Sequence, residues 1–401
     1  MIHSERYALK RELASLIRRL EPSTHQTITP LLGPLIDGID AQHTHILLSD
    51  AQCSVLVEHP CPNLIGDPAS NSPMLLWENR LYFRRYYNLE RRIANQLIAR
   101  HKELNRSESD APMQHVRRNY PLLSAQQIEA IELAHTRSLS IITGGPGTGK
   151  TTLIKALLSS VLASSADLRV ALAAPTGKAV ARLERSLDGL SLSPDQVEVK
   201  TLHRLLGYGA GRRPRYDSNR RLALDLIVID EASMIDLNLA DALLQALPDE
   251  AQLILIGDPN QLPSVNLGRL LADLAQPLQS GELLLQAAQC QLTENFRFEA
   301  KSGIDALAQA IVAQRPISLD QDPAVQWLEP EALDDQLLMQ AFSAWLDCLG
   351  KPSAPREFFE ALDACRILAP QYGGPYGVMA LNQRVISILQ KLKLVEINPR
   401  D

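Results

Sequence analysis

The chain has 401 residues, with 40 Lys+Arg against 46 Asp+Glu, a formal charge of −6, 45% hydrophobic residues and 21% charged. That balance excludes a disordered chain, which would be poor in apolar residues and heavily charged. At roughly 100–200 residues per domain the length predicts two to four domains, and with aromatics at 4% their cores must be filled by Leu, Ile, Val and Ala. The acidic total does not exclude nucleic acid as a partner, because local patches decide that.

The N-terminal stretch MIHSERYALKRELASLIRRL is charged throughout and lacks the apolar core of a signal peptide. No apolar run reaches the ~18 residues needed to span a membrane. Five dispersed cysteines (Cys53, Cys61, Cys290, Cys348, Cys365) form no C-x-x-C pair. No zinc or disulfide framework is therefore expected, and a reducing cytoplasm is the expected location.

In chain order, residues 5–20 place Leu9, Leu13, Ile17 and Leu20 at helical spacing. Residues 58–73 are punctuated by proline. Residues 81–101 predict a short strand followed by a helix, and residues 80–106 hold eight basic and two acidic side chains. The polar segment 105–112 reads as a linker. After Ser124, short apolar runs alternate with helical stretches: SLSIIT (138–143), LRVALAA (168–174), LDLIVID (224–230), QLILIG (252–257) and CRILAP (365–370). Such runs, apolar on both faces and separated by helices, predict an α/β fold with a parallel sheet covered on both sides. Six acids and no base between residues 320 and 335 read as a solvated connection between two α/β units.

Residues 144–151, GGPGTGKT, fit G-x-x-x-x-G-K-[ST] at every fixed position, after an apolar strand and before an apolar-periodic helix. Gly144, Gly145, Pro146, Gly147, Thr148 and Gly149 would turn backbone N–H groups toward a phosphate, aided by the helix N-terminus. Lys150 would reach the β- and γ-phosphates of ATP; Thr151, next to Thr152, would hold Mg²⁺. A glycine turn with an incidental lysine would lack this strand–loop–helix context. LIVIDE (226–231) puts Asp230 and Glu231 at a strand end. Asp230 can hold Mg²⁺ through water, and Glu231 can activate the attacking water. After LILIG, the loop DPNQLPSV offers Gln261 as a sensor of the γ-phosphate.

Between Arg204 and Arg221 lie six arginines and one acid, with Tyr208 and Tyr216 interleaved. Basic residues with rings suit a single strand, charge tracking the phosphates and rings stacking on bases. A solvated arginine-rich loop is the alternative. The basic helix near Arg84–Arg106 is a weaker candidate, for which partner contact or a plain solvated face competes.

SAQQIEAI (124–131), GGPGTGKTT (144–152), APTGKAVARL (174–183), TLHRLLG (201–207), VIDEASMID (228–236), GDPNQLPSV (257–265) and ENFRF (294–298) stand in the order and spacing of superfamily 1 DNA helicases. In combination they resemble the RecD family, the alpha subunits of exodeoxyribonuclease V (RecBCD). APQYGGPYGVMALNQRV (369–385) is similar to the start of that family's second motor domain, and LYFRRYYNLERRIA (81–94) to the end of its N-terminal domain.

The resemblance implies a partner-docking, mostly helical domain over 1–115 and a RecA-like P-loop NTPase domain over 116–298, with a basic insertion at about 207–222. It implies a connection and an incomplete second RecA-like domain over 299–401. It implies ATP and Mg²⁺ as cofactors, and DNA as partner, as a single strand or a duplex end. RecB and RecC complete the implied hetero-trimer, and movement runs 5′ to 3′ in double-strand break repair and recombination. Nuclease activity would arise only in the complex. By the same resemblance Gln127 reads adenine, Arg297 contacts the γ-phosphate, and Thr176, Lys178, Thr201 and His203 line the single-strand track. Arg212, Arg213 and Arg215 sit in the family's small hairpin insertion. Considered without the family, Arg297 reads as a surface arginine and His203 as a structural histidine. No T-x-H-K-x-Q-G motif and no second arginine-finger motif follows Arg384. The chain is thus expected to be shortened relative to the family, as a fragment or through a shorter gene, with full turnover in doubt. The alternatives are a standalone RecD-like helicase and a nucleotide- and partner-binding remnant without motor activity.

Overall fold

The computed structural model of the chain describes residues 2–104, 110–164, 167–190, 193–209, 213–264, 266–275, 286–296, 303–316, 325–329, 333–349, 355–369 and 371–394. They fall into two compact units, Met1–Ala300 and Lys301–Asp401.

The first unit opens with α1 (Ile2–Leu20) and α2 (His25–Asp40). After them come β1 (His45–Leu47), α3 (Asp50–Glu58), β2 (Ile65–Gly66), β3 (Met74–Trp77) and β4 (Arg80–Phe83). The strands form a small sheet in the order β1-β4-β3-β2, more sheet than the mostly helical expectation allowed. Ile17 is buried as its spacing predicts, whereas Leu20 is 41% exposed. The strand and helix expected over 81–101 are β4 and α4 (Arg84–Arg100).

The helix α4 ties this segment to residues far along the chain. Leu89, Ile93 and Leu97 are buried in the same cluster as Leu243, Leu253 and Ile229. Arg92 makes two bonds to Asp241, Nε to Oδ1 at 3.1 Å and Nη2 to Oδ2 at 2.8 Å. Arg100, 5% exposed, donates to the carbonyls of Leu247, Pro248 and Ala251 at 3.0, 2.7 and 3.2 Å. Arg92 and Arg100, one exposed and one buried, are thus staples between elements.

Next come α5 (Ala111–Asn119), α6 (Ala125–Thr136), β5 (Leu139–Gly144), α7 (Lys150–Ser164), β6 (Val170–Ala174) and α8 (Gly177–Ser186). They are followed by β7 (Val197–Thr201), α9 (Leu202–Leu205), β8 (Leu226–Ile229), α10 (Leu237–Ala246), β9 (Gln252–Gly257), α11 (Leu270–Ala275) and β10 (Gln289–Leu292). The six strands are all parallel, in the order β10-β5-β9-β8-β6-β7. Each of β5, β6, β8 and β9 is buried along its length, and two separate apolar clusters cover the two faces. This is the doubly covered α/β sheet that the apolar runs predict. Only the strands at the sheet's two edges, β7 (VEVKT) and β10 (QCQL), are absent from the expected set. One face of an edge strand is polar, so neither forms a continuous apolar run.

The second unit contains α12 (Gly303–Val312), α13 (Asp335–Ala341), α14 (Ser343–Leu349), α15 (Pro355–Asp363) and α16 (Val378–Lys391). Asp335 joins α13 to α16 by accepting from Arg384 Nε at 2.7 Å and Lys391 Nζ at 3.1 Å. Asp334 caps α13. Two of the acids expected to be plain solvated connection are thus structural. The strand expected at CRILAP does not form. Residues 365–369 have no regular structure, and among the described residues of this unit no strand offers a ladder to pair with.

Among the described residues no helix is long and apolar enough to cross a membrane. All five cysteines are free thiols.

Candidate functional site

The phosphate loop leaves the carboxyl end of β5 and enters α7. Gly147 (φ 82°) and Gly149 (φ 75°) take left-handed backbone that a side chain would strain. At Gly144 a Cβ would lie 2.6 Å from Thr148 Oγ1 and 3.2 Å from the Leu292 carbonyl, so close packing on β10 demands glycine. Thr148 is buried and its hydroxyl donates to Gly145 O at 2.9 Å, closing the loop on itself. Lys150 Nζ donates to Gly144 O and Gly145 O at 2.6 and 2.8 Å. Burial pushes its ammonium below the ordinary lysine range, while Asp258, Glu231 and Asp230 pull the other way.

Gln127 sits behind this loop. Ser124 and Gln127 form a reciprocal capping box at the start of α6. The Gln127 amide, 3% exposed, also donates to the Thr148 and Gly149 carbonyls at 3.2 and 3.4 Å. Both ends of its side chain are engaged, and it braces the phosphate loop.

Three adjacent strands, β5, β9 and β8, deliver their carboxyl ends to one edge of the sheet. Past β8 lie Asp230 and Glu231. Asp230 is 5% exposed, and its Oδ1 accepts from the Glu231 N–H at 2.9 Å. Desolvation raises its carboxyl above the ordinary range, against the pull of Arg182 and Lys150. Glu231 takes a left-handed φ of 53°. Its carboxyl is also raised, by burial first and then by the neighbouring Asp230 charge. Past β9, Gln261 is exposed and borders the same space. The result is a cavity of about 390 Å³ lined by loop residues 146–152 together with Asp230, Glu231 and Gln261. Gly144, Gly145 and Gln127 stand behind its wall. Arg297 lies outside the described residues.

Two lining residues were not singled out in the sequence. Arg182, on α8, reaches Glu231 Oε1 at 3.7 Å and Thr151 Oγ1 at 3.5 Å, bringing a second cation to the cavity. Its position in APTGKAVARL, one helical turn past Lys178, was the available signal. Phe296, 57% exposed, lines the opposite side, and its N–H donates to Gly147 O at 2.9 Å.

The donor set suits Mg²⁺ bound together with a polyphosphate. Thr151 Oγ1 and the desolvated Asp230 carboxylate are hard oxygen donors facing one cavity, and Mg²⁺ takes its remaining ligands from phosphate and water. Among the described residues no cluster of His, Cys, Asp and Glu could hold a metal alone.

The residues assigned to the single-strand track lie away from this cavity. Thr176 and Thr201 are the N-caps of α8 and α9, their oxygens accepting from Ala179 N and Arg204 N at 3.2 and 3.3 Å. Lys178 is exposed. His203 packs against Tyr208, with centroids 5.2 Å apart and the rings tilted by 56°. Arg213 and Arg215 are exposed, whereas Arg212 lies outside the described residues. Tyr216 is no free platform. It packs on the core, and the guanidinium carbons of Arg215 and Arg220 stand 5.7 and 5.6 Å from its ring centroid.

Residues 127–267 match the family described as an AAA domain, a span running from the Gln127 brace past Gln261. The RecBCD enzyme subunit RecD of Mycobacterium tuberculosis is 35% identical over 80% of this chain and 58% of its own length. That of Haemophilus influenzae is 36% identical over 61% of this chain and 45% of its own. The chain is thus similar to RecD subunits over much of its length. A further relative, the ATP-dependent RecD2 DNA helicase of Deinococcus radiodurans, is 33% identical over 65% of this chain and 32% of its own length. The chain spans 58% to 61% of the length of the mycobacterial RecD relatives it matches.

Proposed function

We propose that the chain is the ATP-hydrolysing motor portion of a RecD-type DNA helicase. The observation that supports this most is the meeting of Lys150, Asp230 and Glu231 in one cavity at the carboxyl edge of a parallel sheet. In this reading the phosphates of ATP lie on the N–H groups of residues 145–149 and on the N-terminus of α7. Lys150 exchanges its loop carbonyls for the β- and γ-phosphate oxygens. Thr151 and Asp230 hold Mg²⁺, which when bound neutralises phosphate charge. Glu231 orients the attacking water and takes its proton, and its raised affinity for protons suits that task. Gln261 bonds to the γ-phosphate and Arg297 contacts it from the far side. Gln127 reads adenine by giving up its bonds to Thr148 and Gly149, which would tie base recognition to the loop's shape.

The work would be 5′-to-3′ movement on single-stranded DNA as a subunit with RecB and RecC, starting from duplex ends in break repair. Thr176, Lys178, Thr201, His203, Arg213 and Arg215 would carry the strand. Residues 1–115 would dock the partner and 116–298 form the first motor domain. The likeness to RecD2 favours a second reading, a helicase that works alone. Purification from its own cells separates the two, since large co-eluting subunits are expected only of the first.

Lys150→Ala is the direct test. DNA-stimulated ATP turnover should fall to background, because several kcal/mol of charge stabilisation are removed. The melting temperature should hold, because no core contact is touched. Surviving turnover, or collapse of the fold, would sink the assignment.

A further inference from the structure

A larger cavity, about 480 Å³, lies where the N-terminal segment meets the parallel-sheet domain. Its walls come from the start of α4 (Arg85, Tyr86), from α9 and the residue group after it (His203, Tyr208), and from Asn238 and Asn266. None of these borders the nucleotide cavity. Rings, amides and one guanidinium supply most of its polar lining, beside the aliphatic Ile39, Leu239 and Leu267. Tyr86 is half-buried, with the Arg85 guanidinium 5.6 Å from its centroid. Tyr208 and His203 form a tilted ring pair on another wall. One acid, Asp236, also lines the space. It accepts from Leu239 N and Asn266 Nδ2, both at 2.8 Å, so each of its oxygens already has a donor although its charge remains.

We propose that this cleft takes a nucleotide of the single strand, its base stacked on Tyr86 or on the Tyr208–His203 pair and a flanking phosphate on Arg85. The proposal rests on the reading of the chain as a DNA motor. Rings that stack on any base, beside a cation that tracks the backbone, are what a sequence-tolerant strand site needs. Amides such as Asn238 and Asn266 match the donor and acceptor edges of a base. The cleft is also continuous with the basic segment, which begins at Gly207 and Tyr208 and whose Arg215 N–H bonds to Leu206 O at 2.9 Å. A protein strand would be drawn by the same rings, but it carries no phosphate for the Arg85 guanidinium.

The cleft's position gives it a physical route to the nucleotide. The turn Ala232–Met234 starts after Glu231 in the nucleotide cavity and leads to Asp236 in the cleft. The loop after β9 starts near Gln261 in the first cavity and leads to Asn266 in the second. The Asn266–Asp236 bond joins the far ends of both. A base entering the cleft therefore presses on the two segments that carry Glu231 and Gln261.

The test uses the 401-residue chain, a fluorescent oligo-dT and the same oligonucleotide with abasic sites. Tyr86→Leu should weaken oligo-dT binding about 5- to 100-fold, the worth of one stacked base, while Tyr86→Phe keeps it. Abasic DNA should bind parent and Tyr86→Leu alike. Arg85→Glu, a change at an exposed position, should weaken both oligonucleotides. Oligo-dT carrying 5-iodouracil should photo-crosslink to Tyr86, His203 or Tyr208. Binding of a fluorescent ATP analogue should match the parent in all variants. Unchanged oligo-dT affinity in Tyr86→Leu and Arg85→Glu, or crosslinks confined to other peptides, would overturn the cleft as a strand site. That includes a result in which the variants lose only a protein partner. A parent chain that binds no oligo-dT would sink the DNA-motor reading itself, and the cleft proposal with it.

Discussion

Glu231 holds its left-handed φ of 53° at a strand end, beside the buried carboxyl of Asp230. Such backbone costs a side-chain-bearing residue about 1 kcal/mol or more. Both carboxyls bind a proton more tightly in the folded chain than in the unfolded one. Ionised, they therefore subtract from stability at neutral pH. That loss is relieved as pH falls through their raised folded values toward the ordinary carboxylate range. Glu231→Gln should abolish turnover yet raise stability by on the order of 1 kcal/mol. Denaturation at pH 7 and pH 5 should show a gain that is larger at pH 7. The acid limb of parental turnover should lie above the ordinary glutamate range, because Glu231 must be ionised to take a proton. Glycines of the phosphate loop divide in a similar way. A Cβ at Gly149 would meet Gln127 Nε2 at 2.3 Å on backbone with φ 75°, whereas at Gly145 nothing lies within 4 Å. Gly149→Ala should cost about 1–3 kcal/mol and loosen nucleotide binding. Gly145→Ala should change the melting temperature little, and thermal melts of the pair would check both.

Among the elements, α4 shows most plainly what a linear reading loses. Its basic composition suggested a charged surface, but the exposed Arg92 is tied to Asp241 of α10 and Arg100 is buried against the residues that follow α10. Nothing in the local sequence marks Asp241 or the end of α10 as their partners, because those lie well over a hundred residues on. Arg100→Met would take the guanidinium donors from the buried carbonyls of Leu247 and Ala251 and leave Pro248 O with the Ala251 N–H alone. It should cost about 2–4 kcal/mol, read as a lower urea midpoint. Arg100→Lys should recover only part, since one ammonium cannot reproduce the fork. The central strands were legible for the opposite reason. Burial on both faces makes β5, β6, β8 and β9 continuous apolar runs, so local composition carries their structure. The site followed from them: once β5 and β8 were placed, Lys150, Asp230 and Glu231 had to share the carboxyl edge. Arg182 escaped because its role depends on how α8 tilts across that edge, which no spacing records. The dual bracing by Gln127 escaped too, since a capping box and a loop support look alike in one dimension.

At the scale of the molecule, charge is distributed unevenly. The basic segment closes on itself through reciprocal Asp217 and Arg220 backbone bonds at 3.1 and 3.2 Å. Arg221 is spent on Asp249 at 2.7 Å, while Arg213 and Arg215 stand exposed. Reversing both to Glu should weaken single-strand binding and flatten its salt dependence by about 0.7 per lost phosphate contact. Nucleotide affinity should be unaffected. A salt titration with equal slopes would remove this segment from the strand's path. The order of the sheet carries a separate consequence, for synthesis. Leu292 of β10 pairs with Gly144, and the Phe296 N–H bonds to Gly147 O, so the floor and one wall of the phosphate loop are among the last parts of the first unit to be translated. Parallel pairing over such a separation is slow to form. While the ribosome is still short of Leu292, the nascent chain carries an apolar β5 with one flank bare, the condition that draws chaperones and off-pathway strand pairing. Codon pace and chaperone access over that stretch, rather than the strength of the finished fold, then set how much of the protein reaches a state able to bind nucleotide.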